Sequence, residues 1–458
     1  MVAKSFPFGV ISDIIFGMIP FGNTAFSQLE DFAVSIVGDG DRMYVELDGQ
    51  RYSDFCIPFS REEVESALND SSPSRMSTDP LASIGSTLFS SLFSDQVGRS
   101  FWRRMAEVDR KNSGLRLRIC SNLERTQHLP WELLFDPSRS DFLSLSGRMA
   151  FVRTRPDSHA EITTLEPMLK LRILAVAADA TGTMRTSEDL AILQRLADAN
   201  PSRIDLTVVD QVTLEMLQRR LLSSRFDVFH FAGRGEVLPK VSKRGGIRQA
   251  LRLMNPSLTG IGIPLQPTDY GEPLMDRQDL GGLLKQCGVR LAVLNACHSD
   301  WIARSVAKYI PATIGFRESV RVESCLTLCD SLYRSLLAGT PLDLSVTFAR
   351  QGLDRAHPGT GDWCKIIFYL QYPNGDFLLT RNDEPKLTEY IAPPGTNKEV
   401  VKLSRLLEVY ERNLFAIERG ASNALDLYTF PQQLEELRRK RDDVKQQLDE
   451  ARARSKSD

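Results

Sequence analysis

The chain has 458 residues, of which 42% are hydrophobic and 25% charged, with a net charge of −2 and a pI near 6.3. That length supports a large core and two or three domains, and the near-neutral charge leaves no electrostatic footprint for nucleic acid. Seven cysteines (Cys56, Cys120, Cys287, Cys297, Cys325, Cys329 and Cys364) are sparse and fall in apolar segments. This usage fits reduced thiols in a cytoplasmic protein better than a disulfide framework.

The apolar start PFGVISDIIFGMIPFG (7–22) is interrupted by Asp13 and preceded only by Lys4, a poor match to a signal peptide. No stretch reaches the roughly 18 uncharged apolar residues of a spanning helix, so a soluble chain with no membrane partner is expected. Residues 31–60 alternate like short antiparallel strands separated by Gly-Asp turns. A Ser/Pro-rich loop over 70–80 leads into helical spacing over 84–108, and LRLRICS (115–121) reads as another strand.

From residue 169 short β-branched runs alternate with amphipathic helices. Strands are predicted at 171–179, 204–210, 226–233, 289–297, 312–317 and 366–372, with helices at 187–199, 213–224, 277–286, 323–338 and 343–356. The pattern argues for a three-layer α/β sandwich with a mostly parallel sheet. Ligands of such sheets bind beyond the carboxyl ends of strands.

After the linker IAPPGT (391–396), Thr396 and Glu399 form a capping-box pattern, and apolar residues fall at 3-4 spacing from Val400 to Ile417. A second helix from Pro431 repeats the spacing at Leu434, Leu437, Val444, Leu448 and Ala451, with Arg441 as a polar intruder. The expected outcome is a C-terminal α-helical hairpin or coiled coil over 397–458 that binds a protein partner or forms an oligomer. A helical tail packed on the main domain is the alternative. The rest of the chain divides into an N-terminal β/α region (1–120) and a core domain (121–385).

Phosphate-cradle, CxxC, HxxxH and GxSxG patterns are absent from the sequence. Cys325 and Cys329, four apart on a predicted helix, read as a core stripe, so neither a metal nor another cofactor is expected. Two strand ends remain. VFHFAGRGEV (228–237) runs into a glycine-bracketed turn, and RLAVLNACHSD (290–300) ends on Cys297. A cysteine at a strand end is exposed in a way a mid-strand cysteine is not, although most free cysteines are buried small hydrophobes.

LPWELLFD (129–136), VFHFAGRG (228–235) and VLNACHSD (293–300) together resemble the CHAT domain, a bacterial relative of caspases and separases. ATIGFRESV (312–320), LYRSLLAGTPLDLSVTFAR (332–350) and DWCKIIFYLQY (362–372) extend the resemblance, in family order, over about 30–385. The resemblance implies a caspase-like cysteine peptidase fold with a Cys–His dyad and no cofactor. Cys297 matches the nucleophile, Arg234 stands where the family has its dyad histidine, and His230 matches the family's other histidine. The sequence thus departs from the family at the proton-transfer position.

Arginine near a thiol favours the thiolate, but it does not release its proton in proteins and is a poor acid for a departing amine. His230 lies four residues before Arg234, about 13 Å along an extended strand, too far for a Cys–His pair. It is a poor substitute base. Adjacent side chains point apart on extended backbone, which counts against His298, and His128 and His357 cannot be placed from sequence. Glu272, Asp276 and Asp279 lie where caspase-like folds have their cleft, and acidic groups there would suit a basic peptide side chain. A solvated helix start is the plainer account. The expected function is a pseudo-peptidase that binds a peptide or protein partner in a signalling or defence system. Its C-terminal helices resemble recruitment segments of bacterial effectors. The competing expectation is an active endopeptidase that pairs Cys297 with a histidine from an unusual position.

Overall fold

Every residue of Leu291–Asn295, Ala312–Phe316 and Ile366–Leu370 is buried, as unbroken apolar runs require of strands covered on both faces. A computed structural model of the chain describes residues 29–69, 80–111, 113–121, 123–126, 128–158, 165–178, 186–210, 212–233, 262–264, 274–379, 438–439, 441–450 and 454. The chain divides into two compact units, Phe21–Thr380 and a second formed by Met1–Pro20 with Arg381–Asp458.

In the larger unit the main sheet has eleven strands: β1 (Leu29–Asp39), β2 (Arg42–Leu47), β3 (Gln50–Asp54), β4 (Gly114–Cys120), β5 (Met149–Thr154), β6 (Leu171–Ala178), β7 (Ile204–Val209), β8 (Val228–Gly233), β9 (Leu291–Asn295), β10 (Ala312–Phe316) and β11 (Ile366–Leu370). Their order is β3-β2-β1-β4-β5-β11-β10-β9-β8-β6-β7. Pairing is antiparallel at β1/β2, β2/β3 and β10/β11 and parallel elsewhere. Strands β6 to β11 therefore follow the order second-first-third-fourth-fifth-sixth, with the sixth reversed. This doubly wound arrangement switches direction between β6 and β8 and bears out the three-layer, mostly parallel expectation.

The helices of this unit among the described residues are α1 (Arg61–Asn69), α2 (Pro80–Leu92), α3 (Asp95–Lys111), α4 (Thr186–Ala199), α5 (Leu214–Ser223), α6 (Arg277–Gln286), α7 (Asp300–Val306), α8 (Val322–Leu337) and α9 (Leu342–Ala356). Leu193 of α4, Leu332 and Leu336 of α8 and Val346 of α9 join Ile173, Val293 and Ile314 in one core layer. On the opposite face Leu217 and Leu221 of α5, Leu284 of α6 and Ile302 of α7 pack with Val176, Phe229 and Leu294. A third cluster joins Phe32, Val34 and Leu117 to Phe89 and Phe101 of the first helices. None of the helices among the described residues is long and apolar enough to cross a membrane.

The single helix expected over 84–108 is two helices. The first ends at Leu92, and Asp95, the first residue of the second, adopts a left-handed conformation (φ 46°) that re-aims the chain. Gly98 then lies against Phe93, whose carbonyl oxygen would be 2.4 Å from any Cβ placed there.

In the second unit residues 441–450 are helical, and Val444 and Leu448, one turn apart, are buried. The remainder of the expected hairpin lies outside the described residues.

Candidate functional site

The turn after β9 positions Cys297. Ser299, fully buried, donates its hydroxyl to the Leu294 carbonyl (2.9 Å) and accepts from the Phe316 amide (2.8 Å). One side chain thus fastens the turn to its own strand and to β10. Gly315 makes room for it, since a Cβ there would lie 3.0 Å from the Ser299 hydroxyl and 2.9 Å from the Ala303 methyl. His298 takes up the reversal with φ 52°, and its amide donates to the Glu318 carbonyl (3.1 Å).

Cys297 is half-buried and free. Its sulfur accepts from the Val320 amide (3.4 Å) and donates to the Val320 carbonyl (3.6 Å). Among the described residues no imidazole hydrogen-bonds this sulfur. The neighbouring His298 is directed elsewhere, with Nε2 3.2 Å from the Ser319 hydroxyl and Nδ1 4.0 Å from Glu318 Oε2.

Strand β8 runs beside β9 in register, with His230 opposite Val293 and Ala232 opposite Asn295. Arg234 follows the last residue of β8 and lies outside the described residues, as does Glu272. Asp276 ends a short strand, Leu274–Asp276, paired with Gly262–Pro264, and its side chain and that of Asp279 are also outside. His230 is fully buried four residues before Arg234. Its Nε2 lies 3.2 Å from Asp189 Oδ2 on α4 and its Nδ1 3.1 Å from the Tyr333 hydroxyl on α8. Asn295 donates to the same Asp189 oxygen (2.6 Å) and to the Cys325 carbonyl (3.3 Å).

On the other face a pocket of about 220 Å³ opens beside α7, lined in part by His128, His298, Asp300, Trp301, Arg317 and Glu318. Burial pushes the Asp300 carboxyl up; Arg317 opposes that rise and Glu318 adds to it. Burial lowers the His128 imidazole, helped by Arg317 and Arg61. Below the pocket Arg153 binds Glu132 through two contacts of 2.8 and 2.5 Å, both residues buried. Burial alone would raise the Glu132 carboxyl, but Arg153 outweighs it and holds the group below the usual range. His357 sits apart, with Nε2 3.3 Å from the Thr327 hydroxyl.

The structure thus places Cys297 and the end of β8 on adjacent strand ends, and it places His230 in the core. Sequence reasoning missed Asp189, Ser299, Asp300, Arg317 and Tyr333. Arg317 lay inside the quoted ATIGFRESV stretch, whereas Asp189 looked like one acidic residue in a predicted helix.

No family model and no curated protein matches the chain. Among solved structures it is similar to the Saccharomyces cerevisiae separase–securin complex, at 10% identity and a TM-score of 0.42 over 79% of this chain. The match spans 31% of that structure's chain, about a third of its length.

Proposed function

We propose that this chain is a degenerate cysteine peptidase of the CHAT type that binds a protein or peptide partner and has lost turnover. The observation that carries this reading is the surroundings of Cys297. Its sulfur is held by the Val320 backbone, and no described imidazole reaches it. Ala232, two residues before Arg234, pairs with Asn295, two residues before Cys297, which supports Arg234 as the residue at the dyad's second position. A guanidinium there stabilises a thiolate without supplying the proton that a leaving amine needs. His230, the other candidate base, is engaged on both ring nitrogens.

The C-terminal segment 397–458 is read as the adaptor that brings the domain to its partner in a signalling or defence system. The 3-4 apolar spacing that includes Val444 and Leu448 is the sequence feature behind that reading. The test compares native chain with Cys297→Ala in cells by labelling new protein N-termini and by affinity capture. The expected result is no Cys297-dependent cleavage and the same captured partner from both chains. A new N-terminus seen only with the native chain would establish the endopeptidase instead.

A further inference from the structure

Beneath the two strand ends, Asp189, His230 and Cys329 come together with one potential ligand atom each, all within 4.8 Å of one another and all buried. We propose that this cluster is a structural zinc site tying β8 to α4 and α8, independent of whether Cys297 is active.

Charge points to a bound cation first. Asp189 is a buried acidic residue that, among the described residues, has no lysine or arginine partner, and its Oδ1 has no hydrogen bond. A buried carboxylate is costly unless it is paired, hydrogen-bonded or metal-bound. Donor chemistry points the same way, because imidazole nitrogen, thiolate sulfur and carboxylate oxygen together select zinc over magnesium or calcium.

Geometry agrees. Tetrahedral bonds of about 2.0–2.3 Å set ligand atoms about 3.3–3.8 Å apart, and His230 Nε2 already lies 3.2 Å from Asp189 Oδ2. A histidine on zinc directs its other ring nitrogen to an oxygen partner, as His230 Nδ1 does to the Tyr333 hydroxyl at 3.1 Å. Asn295, donating to Asp189 Oδ2 at 2.6 Å, orients that carboxylate from outside the ligand set. Binding displaces the Cys329 thiol proton to solvent and leaves thiolate on the metal.

The test is the metal content of the full-length native chain, purified from zinc-supplemented cells without chelator and dialysed against metal-free buffer. The expected result is about one zinc per chain, falling at least tenfold in Asp189→Asn and Cys329→Ser and unchanged in Cys325→Ser. Cobalt(II) added to the zinc-stripped chain should give a thiolate charge-transfer band that Cys329→Ser lacks. Native chain that is zinc-free and gives no cobalt band would overturn the site. Zinc retained in both ligand variants would also overturn it. The native measurement does not depend on any variant folding.

Discussion

Ser299 and Phe316 are joined by a 2.8 Å hydrogen bond from the Phe316 amide to the Ser299 hydroxyl, which fixes the turn carrying Cys297 against the neighbouring strand. Ser299→Ala removes the acceptor from a buried amide and should cost about 1–3 kcal/mol. The turn should also loosen, so alkylation of Cys297 should rise several-fold under native conditions. Urea titration and timed alkylation read the two effects, and an unchanged alkylation rate would show that the turn is held by other contacts.

Gly315→Ala addresses the same turn by sterics. The added methyl meets Ser299 and Ala303 at 3.0 Å or less, so overpacking should cost about 1–3 kcal/mol. A folded variant with native melting temperature would contradict the close approach.

The buried pair of Arg153 and Glu132 yields a prediction with a pH sign. Glu132→Ala strands a buried guanidinium and should cost about 3–5 kcal/mol at neutral pH, while Glu132→Leu with Arg153→Met should recover most of the loss. The Glu132 carboxyl is held below its usual range in the fold. Its contribution is therefore complete above the unfolded value of about 4.3 and is lost as pH falls through the lower folded value. The stability gap between native chain and Glu132→Ala should narrow below about pH 4. A gap constant with pH would refute this electrostatic origin.

His230→Ala separates a core role from a catalytic one. Losing two hydrogen bonds and leaving a cavity should cost about 2–4 kcal/mol. Well below the melting temperature, Cys297 alkylation should stay within about twofold of native, because four strand residues span about 13 Å. A tenfold fall in a folded variant would mean that His230 serves the cysteine after all.

The three-layer core was legible because buried parallel strands are written as unbroken runs such as LAVLN (291–295), with amphipathic helices between them that cover both faces of the sheet. Cys297 was legible for the same reason, as the residue at which such a run stops. Strand β5 was not foreseen. Its MAFVRT sequence (149–154) contains Arg153, whose burial depends on Glu132, 21 residues away. Helix α1 carries little apolar signal, because among residues 61–68 only Val64 and Leu68 are buried. The break at Asp95 is a single left-handed residue inside otherwise helical spacing. Nothing in the local pattern signalled that the Cys297 sulfur would turn to the Val320 backbone, since that contact joins residues on separate strand ends.

The most direct measurement is the rate of Cys297 alkylation against pH in full-length native chain and in Arg234→His. With a fixed charge at position 234, the native profile should follow thiol ionisation alone, and no peptidase activity should accompany it. Arg234→His should add an inflection near the imidazole value of about 6.5 and raise the neutral-pH rate by about tenfold. A folded Arg234→His chain with the native profile, or Cys297-dependent peptide cleavage by the native chain, would contradict the account.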